Sequence, residues 1–129
     1  MPVQKTVVPL FCKNYDCAVE AQTGSGKTLA FVLPIVNQIL KNPISSKMDT
    51  RALIVSPTRE LALQINAVVE AFTKALGNKM TSVCLIGGVS NKKKGGQVLT
   101  EETGRNIVVA TPGRLVEIIQ NKVQGFQLN

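Results

Sequence analysis

One stretch restricts this chain more than any other: Ala21-Gln22-Thr23-Gly24-Ser25-Gly26-Lys27-Thr28. A phosphate concentrates charge in a small volume. To hold one, a backbone must turn several N–H groups toward a single point, and bulky side chains obstruct that approach. Gly24 and Gly26 supply the freedom, because glycine lacks a Cβ and adopts positive φ. The turn feeds a helix whose first N–H groups and dipole also favour an anion. Lys27 adds a mobile positive charge for β- and γ-phosphates, and Thr28 offers a hydroxyl to a magnesium ion. The pattern is G-x-x-x-x-G-K-[ST] with Ala21 in place of the first glycine. Its context outweighs that departure. Cys17-Ala18-Val19 reads as a short strand before the turn, and 27–40 reads as a helix after it. Strand, glycine turn and helix together make a P-loop; without these flanks the same residues would be a flexible Gly/Ser loop with a chance lysine.

At 129 residues the chain is long enough for one domain with a real core. No apolar run approaches the roughly 20 residues of a membrane span, and the start, Met1-Pro2-Val3-Gln4-Lys5, lacks the apolar core of a signal peptide. The expected location is therefore nuclear, nucleolar or cytoplasmic, and not secreted. Cys12, Cys17 and Cys84 form no C-x-x-C pair and the chain has no histidine, which argues against zinc and against Ser-His or Cys-His chemistry. Reduced thiols are expected. Fifteen Lys and Arg against eight Asp and Glu leave a net charge of +7. Such a surface suits a polyanion, nucleic acid first, although solubility alone also explains many basic domains.

Taken in order, Pro2 to Lys13 reads as a short helix that Pro9 interrupts. Leu29, Val32, Val36, Ile39 and Leu40 form a core-facing stripe on the helix after the P-loop, with a kink expected at Pro34. Ala52 to Ser56 is a continuous apolar run, as in a strand buried on both faces. Thr58 is a candidate N-cap for a helix whose Leu61, Ile65, Val68, Phe72 and Leu76 share one side, and Gly77 suits its C-terminus. Met80 to Ile86 makes a third strand, ended by Gly87-Gly88. Asn106 to Ala110 makes a fourth, broken by Pro112-Gly113, and Arg114 to Asn121 is an amphipathic helix. Glu60 suits the first turn of its helix, and Lys92 to Lys94 suits a solvated loop.

Strands alternating with helices predict a parallel α/β sheet flanked by helices. Ligands of such sheets gather at the carboxyl ends of strands. The P-loop, Pro57-Thr58-Arg59, Gly87-Gly88 and Thr111-Pro112-Gly113-Arg114 all fall there. Strand ends need turns in any case, so their Gly and Pro residues prove little. Arg59 and Arg114 are different, because turn chemistry does not call for a guanidinium.

These segments, in this order, closely resemble the first RecA-like domain of the DEAD-box ATP-dependent RNA helicases, across essentially the whole chain, residues 1–129. The resemblance implies an incomplete RecA-like P-loop domain. It implies that Ala21, Gln22, Thr23, Gly24, Ser25, Gly26, Lys27 and Thr28 cradle the phosphates of ATP, with Lys27 and Thr28 in catalytic roles and Thr28 also on Mg2+. Pro2-Val3-Gln4 is similar to the family's glutamine motif, so Gln4 would read the adenine edge. Pro57, Thr58, Arg59, Gly88, Thr111, Gly113 and Arg114 would hold the sugar-phosphate backbone of one RNA strand, with little reading of base sequence.

The departures carry their own expectations. The family's Asp-Glu-Ala-Asp segment, its Ser-Ala-Thr segment and the second RecA-like domain do not occur here. An intact parent would bind ATP between two RecA-like domains, bend one RNA strand and so open a short duplex. These residues alone are expected to bind ATP or ADP weakly, without useful hydrolysis or unwinding, and to expose apolar sheet surface. Two other readings stand beside this one: a non-catalytic nucleotide- or RNA-binding module, and a different P-loop enzyme. A GTPase reading lacks an Asn-Lys-x-Asp segment, and a small-molecule kinase leaves Gly87-Gly88 and Thr111 to Arg114 unexplained. The RNA substrate and the oligomeric state are not encoded in any motif of the sequence.

Overall fold

The computed structural model describes residues 2–13, 16–18, 26–42, 46, 49–77, 79–86 and 104–120. They fall in two compact units, Met1–Pro43 and Ile44–Asn129. Among them no helix is long and apolar enough to cross a membrane.

The first unit is a pair of packed helices, α1 (Pro2–Cys12) and α2 (Lys27–Lys41). The interruption expected at Pro9 does not occur. Helix α1 runs through it, and the Lys13 N–H closes the end on the Pro9 and Leu10 carbonyls at 3.3 and 3.1 Å. Proline removes one donor from a helix, and here packing against α2 outweighs that loss. Side chains tie the pair together: Gln38 Nε2 donates to the Cys12 carbonyl at 3.1 Å, and Asn37 Nδ2 to Cys12 Sγ at 3.8 Å. Helix α2 continues through Pro34, which is buried, as are Ala30, Val32, Val36 and Ile39. The apolar face is thus narrower than the sequence stripe, with Leu29 half-buried and Leu40 exposed. The strand expected at Cys17-Ala18-Val19 is also corrected. Asp16 to Ala18 are exposed and take no strand conformation, and Val19 lies outside the described residues. A strand exists through its ladder partners, and no described strand pairs with these residues.

The second unit is a three-stranded parallel sheet, β1 (Ala52–Val55), β2 (Ser82–Leu85) and β3 (Ile107–Ala110), in the order β1-β3-β2. Ile107, Val108, Val109 and Ala110 are all buried, as a central strand covered on both faces requires. Val83, Leu85, Val108 and Ala110 form one core with Leu115 and Ile118 of α4 (Pro112–Gln120). Helix α3 (Arg59–Ala75) packs on β2 and β3. Burial first, and the charge of its Glu70 second, push the thiol of Cys84, on the other side of the sheet from that core, up to about 11. Strand β1 is a parallel strand but not buried on both faces: Leu53 and Val55 are exposed at its edge position.

Helix α3 has the ends read from the sequence. The Thr58 hydroxyl accepts from the Leu61 N–H at 3.2 Å, and Gly77 adopts φ 67 just past the C-cap. Its face differs. The buried residues are Ala62, Ile65, Asn66, Val69 and Thr73, while Leu61 is 39% exposed and Val68 and Phe72 are half-buried. Before β3, Asn106 acts as a knot. Its Nδ2 donates to the Ser46 and Asp49 carbonyls at 3.0 and 2.8 Å, and its Oδ1 accepts from Thr81 N and Oγ1 at 2.9 and 2.8 Å.

Candidate functional site

Two separate places carry the candidate residues. In the first unit, Gly26 stands at the N-cap of α2 with φ 83 and ψ 25, the left-handed conformation that favours glycine. Glycine offers no side-chain oxygen to the first N–H groups of the helix, and no acidic residue sits in that first turn. The start of α2 therefore keeps the polarity that attracts an anion. Lys27 is exposed and Thr28 half-buried in this first turn. The Gln4 side chain reaches the same point, with Nε2 donating to the Gly26 carbonyl at 3.4 Å. Ala21, Gln22, Thr23, Gly24 and Ser25 lie outside the described residues.

The second place is a cleft of about 420 Å³ at the carboxyl ends of β1 and β3. One wall is Pro57, Thr58, Arg59 and Glu60, where β1 passes into α3. The other is Thr111, Gly113, Arg114 and Glu117, where β3 passes into α4. Backbone hydrogen bonds fix both exits: Ser56 N–H to the Ala110 carbonyl at 2.9 Å, and Thr111 N–H to the Leu85 carbonyl at 3.1 Å. Helices α3 and α4 both begin at the cleft, so two positive dipole ends join two guanidinium groups there. Arg59 is exposed, while Arg114 is half-buried and Nη1 donates to Glu117 Oε1 at 3.0 Å. A Cβ built on Gly113 would meet nothing within 4 Å. Packing therefore does not demand glycine at that position, and the space above it is open.

The sequence reading named Pro57, Thr58, Arg59, Thr111, Gly113 and Arg114 as one group, and the structure brings all six to this cleft. Gly88 lies outside the described residues. Glu60 and Glu117 also line the cleft. The sequence points Glu60 to a structural role before a functional one, and the signal for Glu117 is its place three residues after Arg114 on a helix.

A parallel sheet with helices following its strands and a glycine-capped helix after a P-loop sequence define a RecA-like P-loop domain. The family comparison agrees: a model described as "DEAD/DEAH box helicase" matches residues 1–128, and the chain belongs to that family. It is 46% identical over 128 residues to the ATP-dependent RNA helicase DDX55 of Gallus gallus, covering 98% of this chain and 21% of that protein. It is 40% identical over 117 residues to the ATP-dependent RNA helicase DBP10 of Candida glabrata, covering 91% of this chain and 11% of that one. Among solved structures, the RNA helicase Prp28 from Chaetomium thermophilum bound to ADP matches with a TM-score of 0.80 at 39% identity, over 95% of this chain and 29% of that one. Mss116p bound to single-stranded RNA and AMP-PNP matches with a TM-score of 0.75 at 36% identity, over 92% and 24% of the two chains. The chain thus spans about a fifth of the length of the DDX55 relatives.

Proposed function

We propose that this chain is the nucleotide- and RNA-gripping part of an ATP-dependent RNA helicase. Residues 21–28 hold the phosphates of ATP, Gln4 reads the adenine, and the cleft between α3 and α4 holds one RNA strand by its backbone. The observation that carries this reading is the cleft itself. Two chain segments far apart in sequence meet there with two arginines, two helix starts and an open glycine. That is a surface suited to phosphate oxygens rather than to base edges, so binding is indifferent to base sequence. The RNA- and nucleotide-bound neighbours lend the same reading support by similarity.

Each residue has a stated task. Lys27 balances the β- and γ-phosphate charge. Gly26 and the first turn of α2 present N–H groups to the phosphates. Among the described residues no group of three His, Cys, Asp or Glu side chains stands together to hold a metal by itself. A magnesium ion would share its shell between the Thr28 hydroxyl, phosphate oxygens and water, a set of hard oxygen donors that suits it. When bound, it neutralises phosphate charge during transfer. In the cleft, Thr58, Arg59, Thr111 and Arg114 donate to phosphate oxygens, while Pro57 and Gly113 let the strand approach. The partner in the whole protein is a second RecA-like domain. ATP drives strand separation by favouring the closed pair over the open one.

The test is binding of a fluorescein-labelled oligouridylate, followed by anisotropy from low to high salt. The affinity falls steeply as salt rises, and replacing Arg59 and Arg114 together with alanine removes most of it. Salt-independent binding, or binding untouched by the double replacement, contradicts the reading.

A further inference from the structure

The ionisable side chains of the cleft carry no net charge. Arg59 and Arg114 share it with Glu60 and Glu117, so the four cancel, while the whole chain carries +7. Glu60 has a structural account, since it lies in the first turn of α3 where the dipole favours a carboxylate. Glu117 has none of that kind. It lies well past the start of α4, and its order after Arg114 is not the one that helix dipoles favour in such pairs. What it does is hold Arg114, by one contact from Nη1 at 3.0 Å. The Glu117 side chain keeps 55% of its exposure and that of Arg114 only 24%, so Glu117 is the more solvent-exposed partner of the pair.

We infer that Glu117 is a built-in counterion of Arg114, which an RNA phosphate must displace, and that it thereby weakens the hold of the cleft and eases release. The inference rests on reading the cleft as an RNA-backbone grip. A phosphate that binds Arg114 exchanges one anionic partner for another. The carboxylate it displaces stays nearby, tethered to α4 three residues away, and repels the incoming strand. Removing that charge leaves the guanidinium to the phosphate alone. Glu117→Gln removes it with little change in size or helix preference.

The experiment compares the 129-residue chain with Glu117→Gln in the oligouridylate anisotropy assay across a salt series. At low salt the variant binds about two- to fivefold tighter, the range set by an exposed ion pair. Its plot of log affinity against log salt is steeper by up to about 0.7, one further phosphate neutralised on a single strand. In an Arg114→Ala background the same change gives a much smaller gain. Unchanged or weaker binding by Glu117→Gln overturns the inference, and so does an equal gain without Arg114, which would be a general charge effect. If neither protein binds RNA at low salt, the RNA reading falls and this inference with it. If the wild type binds through Arg59 and Arg114 yet Glu117→Gln changes nothing, only the counterion role falls.

Discussion

The side-chain amide of Gln4 donates to the carbonyl of Gly26, 22 residues further along, at 3.4 Å. That contact puts the one residue expected to read a base beside the one described glycine of the phosphate turn. Gln4→Ala removes the hydrogen bond and, on the proposed reading, the adenine contact with it. The expected result is ATP binding weaker by about five- to tenfold, from one or two neutral hydrogen bonds, with a smaller preference for ATP over GTP. Titration with a fluorescent ATP analogue, with GTP as competitor, measures both. Unchanged affinity and preference would contradict the role of Gln4.

Gly113 allows function and stability to be separated. A Cβ there meets nothing within 4 Å and lies in the first turn of α4. Gly113→Ala is therefore expected to leave the melting temperature unchanged or to raise it, since alanine favours helix by up to about 1 kcal/mol. RNA binding should nevertheless weaken, because the new methyl fills the space that the proposed grip leaves to the strand. A variant that melts normally and binds RNA normally would remove Gly113 from the site.

Thr58, proposed for the RNA grip, also has a structural duty. Its hydroxyl caps α3 through the Leu61 N–H, so Thr58→Ala costs about 1 kcal/mol of stability. Thr58→Ser keeps the cap and should keep the melting temperature. Chemical denaturation of the two variants checks this directly.

Gly104 is a packing constraint unconnected with ligands. A Cβ at that position would stand 2.5 Å from Thr81 Cβ. Gly104→Ala must shift backbone and is expected to cost about 1–3 kcal/mol, with loss of the adjoining Asn106 bonds to Thr81. A denaturation midpoint equal to that of the wild type would refute it.

Burial first, and the Glu70 charge second, raise the Cys84 thiol from 9.0 to about 11. The neutral thiol is the form the fold favours. Its contribution to stability is complete below pH 9 and is lost as pH rises toward 11, where the unfolded chain ionises first. At pH 8, alkylation read by mass spectrometry should label exposed Cys17 and spare buried Cys84 until the chain unfolds.

What was readable in the sequence was what local chemistry decides. The Thr58 cap and the Gly77 stop of α3 follow from a hydroxyl and a missing Cβ, and both stand in the structure. The parallel strands β1, β2 and β3 follow from short apolar runs between turn formers. What was not readable depends on contacts between distant residues. Which side of α3 meets the sheet is such a case: Ala62, Ile65, Asn66, Val69 and Thr73 are buried, and of the Leu61 row only Ile65 is among them. Pro9 reads as an interruption because a lone helix would suffer there, whereas the packed helix α1 runs through it. The missing Cys17-Ala18 strand has the same origin, since no residue alone declares its ladder partner. In the cleft, the arginines drew notice because turns do not need them. Glu117 escaped because a carboxylate beside a guanidinium on a helix also occurs as an ordinary surface pair.

The central claim is that the strand ends at Ser56 and Thr111 form one RNA-backbone grip. Amide chemical-shift mapping of the labelled chain with oligouridylate at low salt tests it most directly. The account predicts that the largest shifts fall on Thr58, Arg59, Glu60, Thr111, Gly113 and Arg114, and that they disappear on addition of salt. Shifts confined to other surfaces, with those six amides unmoved at saturation, would contradict it.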